Sequence, residues 1–124
     1  MIGYVTLGTN DLERAAGFYD QLLAELGGKR VMQNPGKLIG WSNGKGAAIV
    51  LITPHDGGKA SVGNGGMAAL GAASQADVER VYNKAISLGA RDEGEPGPRT
   101  PTFYAAYFRD PDGNKLNVHC IGAE

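Results

Sequence analysis

The residues best suited to chemistry lie in the last apolar segment of the chain. Alternation along this predicted strand places Asn117 and His119 on one face, and Leu116, Val118 and Cys120 on the other. An imidazole can act as a general acid or base near neutral pH, and a neighbouring amide can hold a ligand by hydrogen bonds. A single histidine among apolar neighbours is more often a hydrogen-bonded structural group, so two interpretations of His119 stay open.

Aromatic and cationic residues elsewhere could also contact a ligand. Trp41, the only tryptophan, could stack on a flat ligand or fill the core. Arg99, which we predict to lie in a loop, is the best candidate for contacting an anionic group, although an arginine in a loop is commonly solvated. Tyr104 and Tyr107 on the next predicted strand could bind an anionic or aromatic group, or serve only for packing. His55, in a glycine-rich segment, is interpreted as a solvated turn residue.

Composition restricts the possible partners of this chain of 124 residues. Twelve Lys and Arg balance thirteen Asp and Glu, so no basic field favours nucleic acid or an anionic membrane surface. The single cysteine, Cys120, cannot form an internal disulfide, and no stretch approaches the roughly 18 apolar residues of a membrane span. We therefore expect a soluble, cytoplasmic protein without nucleic-acid or membrane partners.

An internal repeat organises the elements that must position these residues. Asp-Leu-Glu-Arg at 11–14 returns as Asp-Val-Glu-Arg at 77–80, and the strand-like segment 4–8 corresponds to 67–71. Because a module of about 60 residues buries too little surface alone, the two copies are expected to form one domain over residues 1–124. We assign module 1 to residues 1–56, a linker to 57–65 and module 2 to 66–124.

Periodicity and turn residues predict the same element order in both copies. Asn10 with Glu13 resembles a capping box for the first helix, and Ser74 caps the second. The predicted strands cover residues 2–8, 29–33, 37–42, 47–53, 67–72, 90–93, 103–109 and 115–121. The fold class is therefore α+β, with two βαβββ modules.

Three features together resemble the vicinal oxygen chelate superfamily, which includes glyoxalase I, bleomycin-resistance proteins and extradiol dioxygenases. They are the βαβββ repeat, Val-Thr-Leu-Gly at 5–8 before Asp-Leu-Glu at 11–13, and the hairpin turn Asp-Pro-Asp-Gly-Asn at 110–114, which we interpret as structural. The resemblance implies curved mixed sheets that enclose a cavity, formed within one chain or between two chains. It also implies that metal-using relatives take four ligands, typically two His and two Glu, from the first and last strands of each module.

This chain departs from that ligand pattern at every position. The first-strand histidines fall on Tyr4 and Met67, one final-strand glutamate falls on Asn117, and the other falls within residues 47–53, which contain no carboxylate. A phenol, a thioether and an amide would hold a hard divalent metal poorly. We therefore expect no metal and no cofactor. The expected ligand-binding residues are Tyr4, Trp41, Met67, Arg99 and Asn117.

Two functions remain open from the sequence. The first is a metal-independent protein that binds or sequesters a small organic molecule, and it assembles as a homodimer as relatives commonly do. The second is a glyoxalase-like lyase or isomerase, related to lactoylglutathione lyase, that uses a displaced metal or, without metal, His119 as its acid or base.

Overall fold

The computed structural model describes residues 1–122, which fall into two compact units, Met1–Gly63 and a second that begins at Asn64. Within the described residues, no helix is long and apolar enough to span a membrane. Each unit consists of one four-stranded mixed sheet with one helix packed on it. We call the sheet of the first unit sheet 1 and the sheet of the second unit sheet 2.

The first unit has the element order βαβββ. Its elements are β1 (Tyr4–Gly8), α1 (Leu12–Ala24), β2 (Lys29–Asn34), β3 (Leu38–Ser42) and β4 (Ala48–Ile52). In the sheet the order is β1-β4-β3-β2, with β1 parallel to β4 and the other pairs antiparallel. A parallel first strand is possible because α1 provides the crossover connection.

The second unit repeats this arrangement. Its elements are β5 (Ala68–Gly71), α2 (Gln75–Ser87), β6 (Arg91–Thr100), β7 (Phe103–Arg109) and β8 (Lys115–Ile121). The sheet order β5-β8-β7-β6, with β5 parallel to β8, matches that of the first unit. The predicted α+β class and the βαβββ repeat are confirmed.

The helix caps correct part of the predicted repeat. Asp11, not Asn10, caps α1 and accepts a hydrogen bond from the Arg14 backbone, while Asn10 bonds to Ala60. Ser74 caps α2, as predicted. Asp11 and Ser74 therefore occupy equivalent cap positions. The repeated Asp-x-Glu-Arg motif begins at the cap in α1 but three residues after the cap in α2, which is almost one helical turn later.

Helix α1 buries one face against sheet 1. Tyr19 and Leu22 are fully buried, and the Tyr19 ring lies 5.8 Å from that of Trp41 on β3. The Trp41 Nε1 atom donates a hydrogen bond of 2.8 Å to Asp20 Oδ1, which also accepts from Arg30. The indole N–H of Trp41, the largest side chain in the core of unit 1, therefore has a hydrogen-bond acceptor.

Strand β6 is longer than predicted. We expected a short strand at 90–93 and a loop around Arg99, but pairing with β7 continues to Thr100. Pro96 and Pro98 cannot donate to a ladder, and they are tolerated because β6 is an edge strand whose register shifts three times. Arg99 therefore lies on a strand.

The turn between β7 and β8 is structural, as its sequence predicts. Asp110 Oδ1 accepts hydrogen bonds from the backbone nitrogens of Asp112 and Asn114, each at 2.9 Å. Gly113 adopts φ of 93°, a conformation that L side chains rarely take. This turn sets the register of the two central strands of sheet 2, which carry the candidate site.

Candidate functional site

The two faces of sheet 2 differ in what they contact. The Tyr104 hydroxyl donates to Glu79 of α2 at 2.6 Å, and Tyr104 pairs in register with Cys120, so these residues mark the face that packs on the helix. Asn117 and His119 alternate with them and lie on the opposite face, as strand parity predicts. We call that opposite surface the open face of sheet 2. It comprises Phe103, Ala105, Tyr107, Arg109, Lys115, Asn117 and His119, with Ala69 and Gly71 of β5.

His119 is held on this face by two neighbours. Its Nδ1 atom lies 3.0 Å from Oδ1 of Asn117, and its ring stacks on Phe103 with centroids 5.3 Å apart. An amide oxygen can only accept a hydrogen bond, so Nδ1 carries the proton and the lone pair of the imidazole lies on Nε2. Burial lowers the pKa of His119 below 6.5, which keeps the ring neutral at pH 7.

Asn117 is the hydrogen-bonding partner of His119 in this pair. Only 2% of its surface is exposed, so it is more buried than a residue that lines a solvent-filled cavity would be. Its amide oxygen is occupied by His119. The arrangement therefore fixes the orientation of an imidazole that is itself only half-buried.

A cationic cluster occupies another part of the open face. The guanidinium of Arg99 lies 5.3 Å from the centroid of the Tyr107 ring, and the Lys115 ammonium lies 5.6 Å from the same centroid. Tyr107 pairs directly with Asn117, so the cluster adjoins the His119 pair. We name Arg99, Tyr107 and Lys115 the cation cluster.

Tyr4 is the first residue of β1 and Met67 directly precedes β5, and both are exposed, at 60% and 45%. Tyr4 lies on the face of sheet 1 away from α1, because its neighbour Val5 pairs with Ile49, which in turn pairs with Trp41 on the helix side. Alternation from Ala69 places Met67 at the edge of the open face of sheet 2.

Trp41 is part of the core of unit 1. Only 2% of its surface is exposed, and its ring contacts Tyr19 and Asp20 of α1. Of the two roles left open by the sequence, the structure shows core filling, because the strand turns position 41 toward the helix. Tyr104 is likewise directed toward α2 and bonds to Glu79.

Some residues of the open face were not found from the sequence. Phe103 and Lys115 were not predicted as site residues, although they share the parity of Tyr107 and Asn117 on their own strands. Strand alternation was the signal that could have found them. Their place in the candidate site follows from contacts in the structure: the Phe103 ring stacks on His119, and Lys115 lies near the Tyr107 ring together with Arg99.

The structure also settles the register of the fourth position implied for a metal ligand. Thr6 pairs with Val50 as Ala69 pairs with Asn117, so Val50 is the equivalent of Asn117. The four positions thus hold Tyr4, Val50, Met67 and Asn117, a set that does not fit a divalent metal because it lacks imidazole and carboxylate. Within residues 1–122, no three His, Cys, Asp or Glu residues cluster in a way that could hold a metal ion.

Comparison with known proteins identifies the class to which this fold and site belong. The model of the glyoxalase/bleomycin resistance protein/dioxygenase superfamily matches residues 1–118, and the chain belongs to that superfamily. Among proteins with curated descriptions, none matches the sequence.

Solved structures show the same fold over nearly the whole chain. A glyoxalase/bleomycin resistance protein from Albidiferax ferrireducens T118 is 33% identical with a TM-score of 0.89, and the match covers 97% of this chain and 98% of that one. A hypothetical protein from S. aureus is 27% identical with a TM-score of 0.76, over 94% and 91% of the two chains. A lactoylglutathione lyase from Agrobacterium tumefaciens, 22% identical with a TM-score of 0.72 over 97% and 92%, shares the fold.

Proposed function

We propose that this protein binds a small organic molecule on the open face of sheet 2. The observation that carries the proposal is the stacked pair of Phe103 and His119, with the imidazole oriented by Asn117. Aromatic surfaces with a few oriented polar groups are typical of small-molecule sites. Membership of a superfamily that includes bleomycin-resistance proteins is consistent with this function.

The absence of suitable metal donors at the four implied positions favours binding over metal-assisted chemistry. A phenol, an isopropyl group, a thioether and an amide supply no Lewis-acid site of the usual kind. The ligand would then be held by stacking, by hydrogen bonds and by charge. We expect the protein to sequester its ligand unchanged.

A titration followed by two-dimensional amide NMR tests this proposal. A panel of small aromatic acids, amides and amines is added, and we expect shifts to concentrate at Phe103, Asn117 and His119. The Phe103→Ala variant should bind more weakly, because it removes one of the two stacked rings. Tyr104→Phe is the matched control, since it changes the same strand on the helix side. Shifts confined to the helix side, or equal binding by Phe103→Ala, would refute the proposal.

A second function is favoured by the tautomer of His119. With Nδ1 donating to Asn117, the free lone pair of Nε2 can remove a proton from a carbon next to a carbonyl and return it to the adjacent carbon. Such a step is redox neutral and describes a metal-free lyase or isomerase. Structural similarity to a lactoylglutathione lyase suggests lactoylglutathione as the compound to test.

The thioester absorbance of lactoylglutathione, followed with and without EDTA, tests this second function. Metal-free catalysis would be insensitive to EDTA, abolished in His119→Gln and retained in His55→Gln, the other histidine of the chain. Turnover that EDTA abolishes would assign the reaction to a metal. Turnover retained in His119→Gln would exclude His119 as the base.

A further inference from the structure

The cation cluster contains an arginine that is fixed before any ligand arrives. The Nη1 atom of Arg99 donates to the Gly97 carbonyl and Nη2 donates to the Glu95 carbonyl, both at 2.8 Å. The Cζ atom of this guanidinium also lies 5.3 Å from the centroid of the Tyr107 ring. Because these partners hold the guanidinium in one position, little side-chain entropy remains to be lost when an anion binds.

Two glycines make room for this arginine. A Cβ atom at Gly94 would stand 3.1 Å from Arg99 Nη2 and 3.2 Å from Tyr107 Cδ1, and one at Gly97 would stand 3.3 Å from Arg99 Nη1. All three distances are shorter than ordinary van der Waals contacts. The irregular register of β6 and its two glycines therefore leave space for the guanidinium of Arg99.

The partners of Arg99 leave its charge uncompensated. Carbonyl oxygens and an aromatic ring are neutral, and three of its five N–H groups remain after the two hydrogen bonds. The Lys115 ammonium lies 5.6 Å from the centroid of the same ring, so both cations border Tyr107. Within residues 1–122 neither cation forms an ion pair with a carboxylate, whereas the neighbouring Arg109 is paired with Glu93 at 3.3 Å.

We propose that Arg99 and Lys115 form the anion-binding end of the open face, so that the ligand is a small organic acid carrying a carboxylate or phosphate group. This inference rests on the proposed binding function and names its ligand class. Tyr107 and Phe103 lie four residues apart on β7, so their Cα atoms are separated by about 13 Å along the strand. The ligand is thus an elongated molecule with its charge at one end and a flat or apolar group at the other.

Two matched probes test this assignment. The acid 9-phenylnonanoate and its neutral amide, 9-phenylnonanamide, share a ring and a chain long enough to span about 13 Å, and they differ only in the charged group. Because a charge-assisted hydrogen bond contributes more than a neutral one, we expect the acid to bind about tenfold more tightly, by calorimetry or NMR titration. Arg99→Gln and Lys115→Gln should each reduce that preference, and Lys59→Gln, an exposed cation of the first unit, should retain it.

Two further variants separate charge from position. Arg99→Lys keeps the charge without the planar fork and should retain only part of the preference for the acid. Gly97→Ala leaves Arg99 present but displaces its guanidinium, so it should weaken binding of the acid and leave binding of the amide unchanged. Amide spectra that overlay on the wild-type spectrum establish that each variant is folded.

The outcomes distinguish this inference from the function on which it rests. Equal binding of acid and amide, or a preference that survives loss of both cations, overturns the anion assignment and leaves small-molecule binding intact. If neither probe binds but inorganic phosphate shifts the Arg99 Nε–H resonance, the binding function fails while the anion site stands. If phosphate also leaves that resonance unchanged, both fail.

Discussion

The Nδ1 atom of His119 lies 3.0 Å from Oδ1 of Asn117, on the same face of β8. This contact sets the tautomer of the only histidine on the open face of sheet 2 and turns the basic Nε2 away from its partner. The protonation of His119 therefore depends on a neutral amide rather than on a carboxylate. Replacing the Asn117 amide by a carboxylate tests this directly.

Asn117→Asp should raise the pKa of His119. A carboxylate at hydrogen-bond distance favours the imidazolium, opposing the burial that lowers this pKa in the natural protein. Titration of the imidazole proton resonances measures the change, with His55→Gln used to assign the two histidines. A pKa that stays the same or falls would show that position 117 does not contact the ring in solution.

The stability of the protein should fall as the pH drops through 6.5. Burial lowers the folded-state pKa of His119 below 6.5, so the unfolded chain binds the proton first and is favoured by acid. This contribution is complete above pH 6.5 and is lost between 6.5 and the lower folded pKa. Urea unfolding at a series of pH values should show a decrease that is smaller in His119→Gln, and identical profiles would contradict the prediction.

Asp20→Ala should destabilise the protein by about 1–3 kcal/mol, because it leaves the buried Trp41 N–H without its acceptor. Asp20→Asn retains an acceptor oxygen and should cost less. Arg30→Gln removes the ion pair with Asp20, the hydrogen bond to Gln33 and the contact of the guanidinium with the Trp41 ring, all at the surface, and should cost about 0–1 kcal/mol. Denaturant unfolding of the three variants measures this order, and an effect of Arg30→Gln equal to that of Asp20→Ala would assign the stability to the ion pair.

Leu22→Ala should destabilise the protein by about 2–5 kcal/mol, because Leu22 of α1 is fully buried and the loss of its side chain creates a void. Gln21→Ala, on the exposed face of the same helix, is the control and should stay within about 0.5 kcal/mol of the natural protein. A small effect of Leu22→Ala would mean that the helix repacks over the void.

The predicted homodimer is tested by light scattering. Edge strand β2 is exposed along its whole length and presents Val31 and Met32 to solvent, a surface that a second copy could cover. We expect a mass of twice the 12.9 kDa of the chain at micromolar concentrations. Val31→Lys should then favour the monomer, and a single-chain mass for the natural protein would refute the prediction.

Local rules were sufficient for the order of elements and for part of the candidate site. Alternation along β8 placed Asn117 and His119 together, because successive side chains of a strand must point to opposite faces. Ser74 was identifiable as a helix cap because its side chain accepts from a backbone nitrogen three residues later. These features depend on neighbours within a few residues, which the sequence displays.

Contacts between elements were decided only by the tertiary structure. Trp41 belongs to the core because β3 turns it toward Tyr19 and Asp20, and no pattern around position 41 specifies which face meets the helix. Arg99 lies on a strand because β6 pairs with β7 in spite of the two prolines in β6. The position of its guanidinium depends on Tyr107, which comes from the partner strand. The sequence by itself thus determined the repeat, the fold class and the alternation of side chains along β8. Which side chains meet across strands depends on register and packing, and these arise only when distant segments come together.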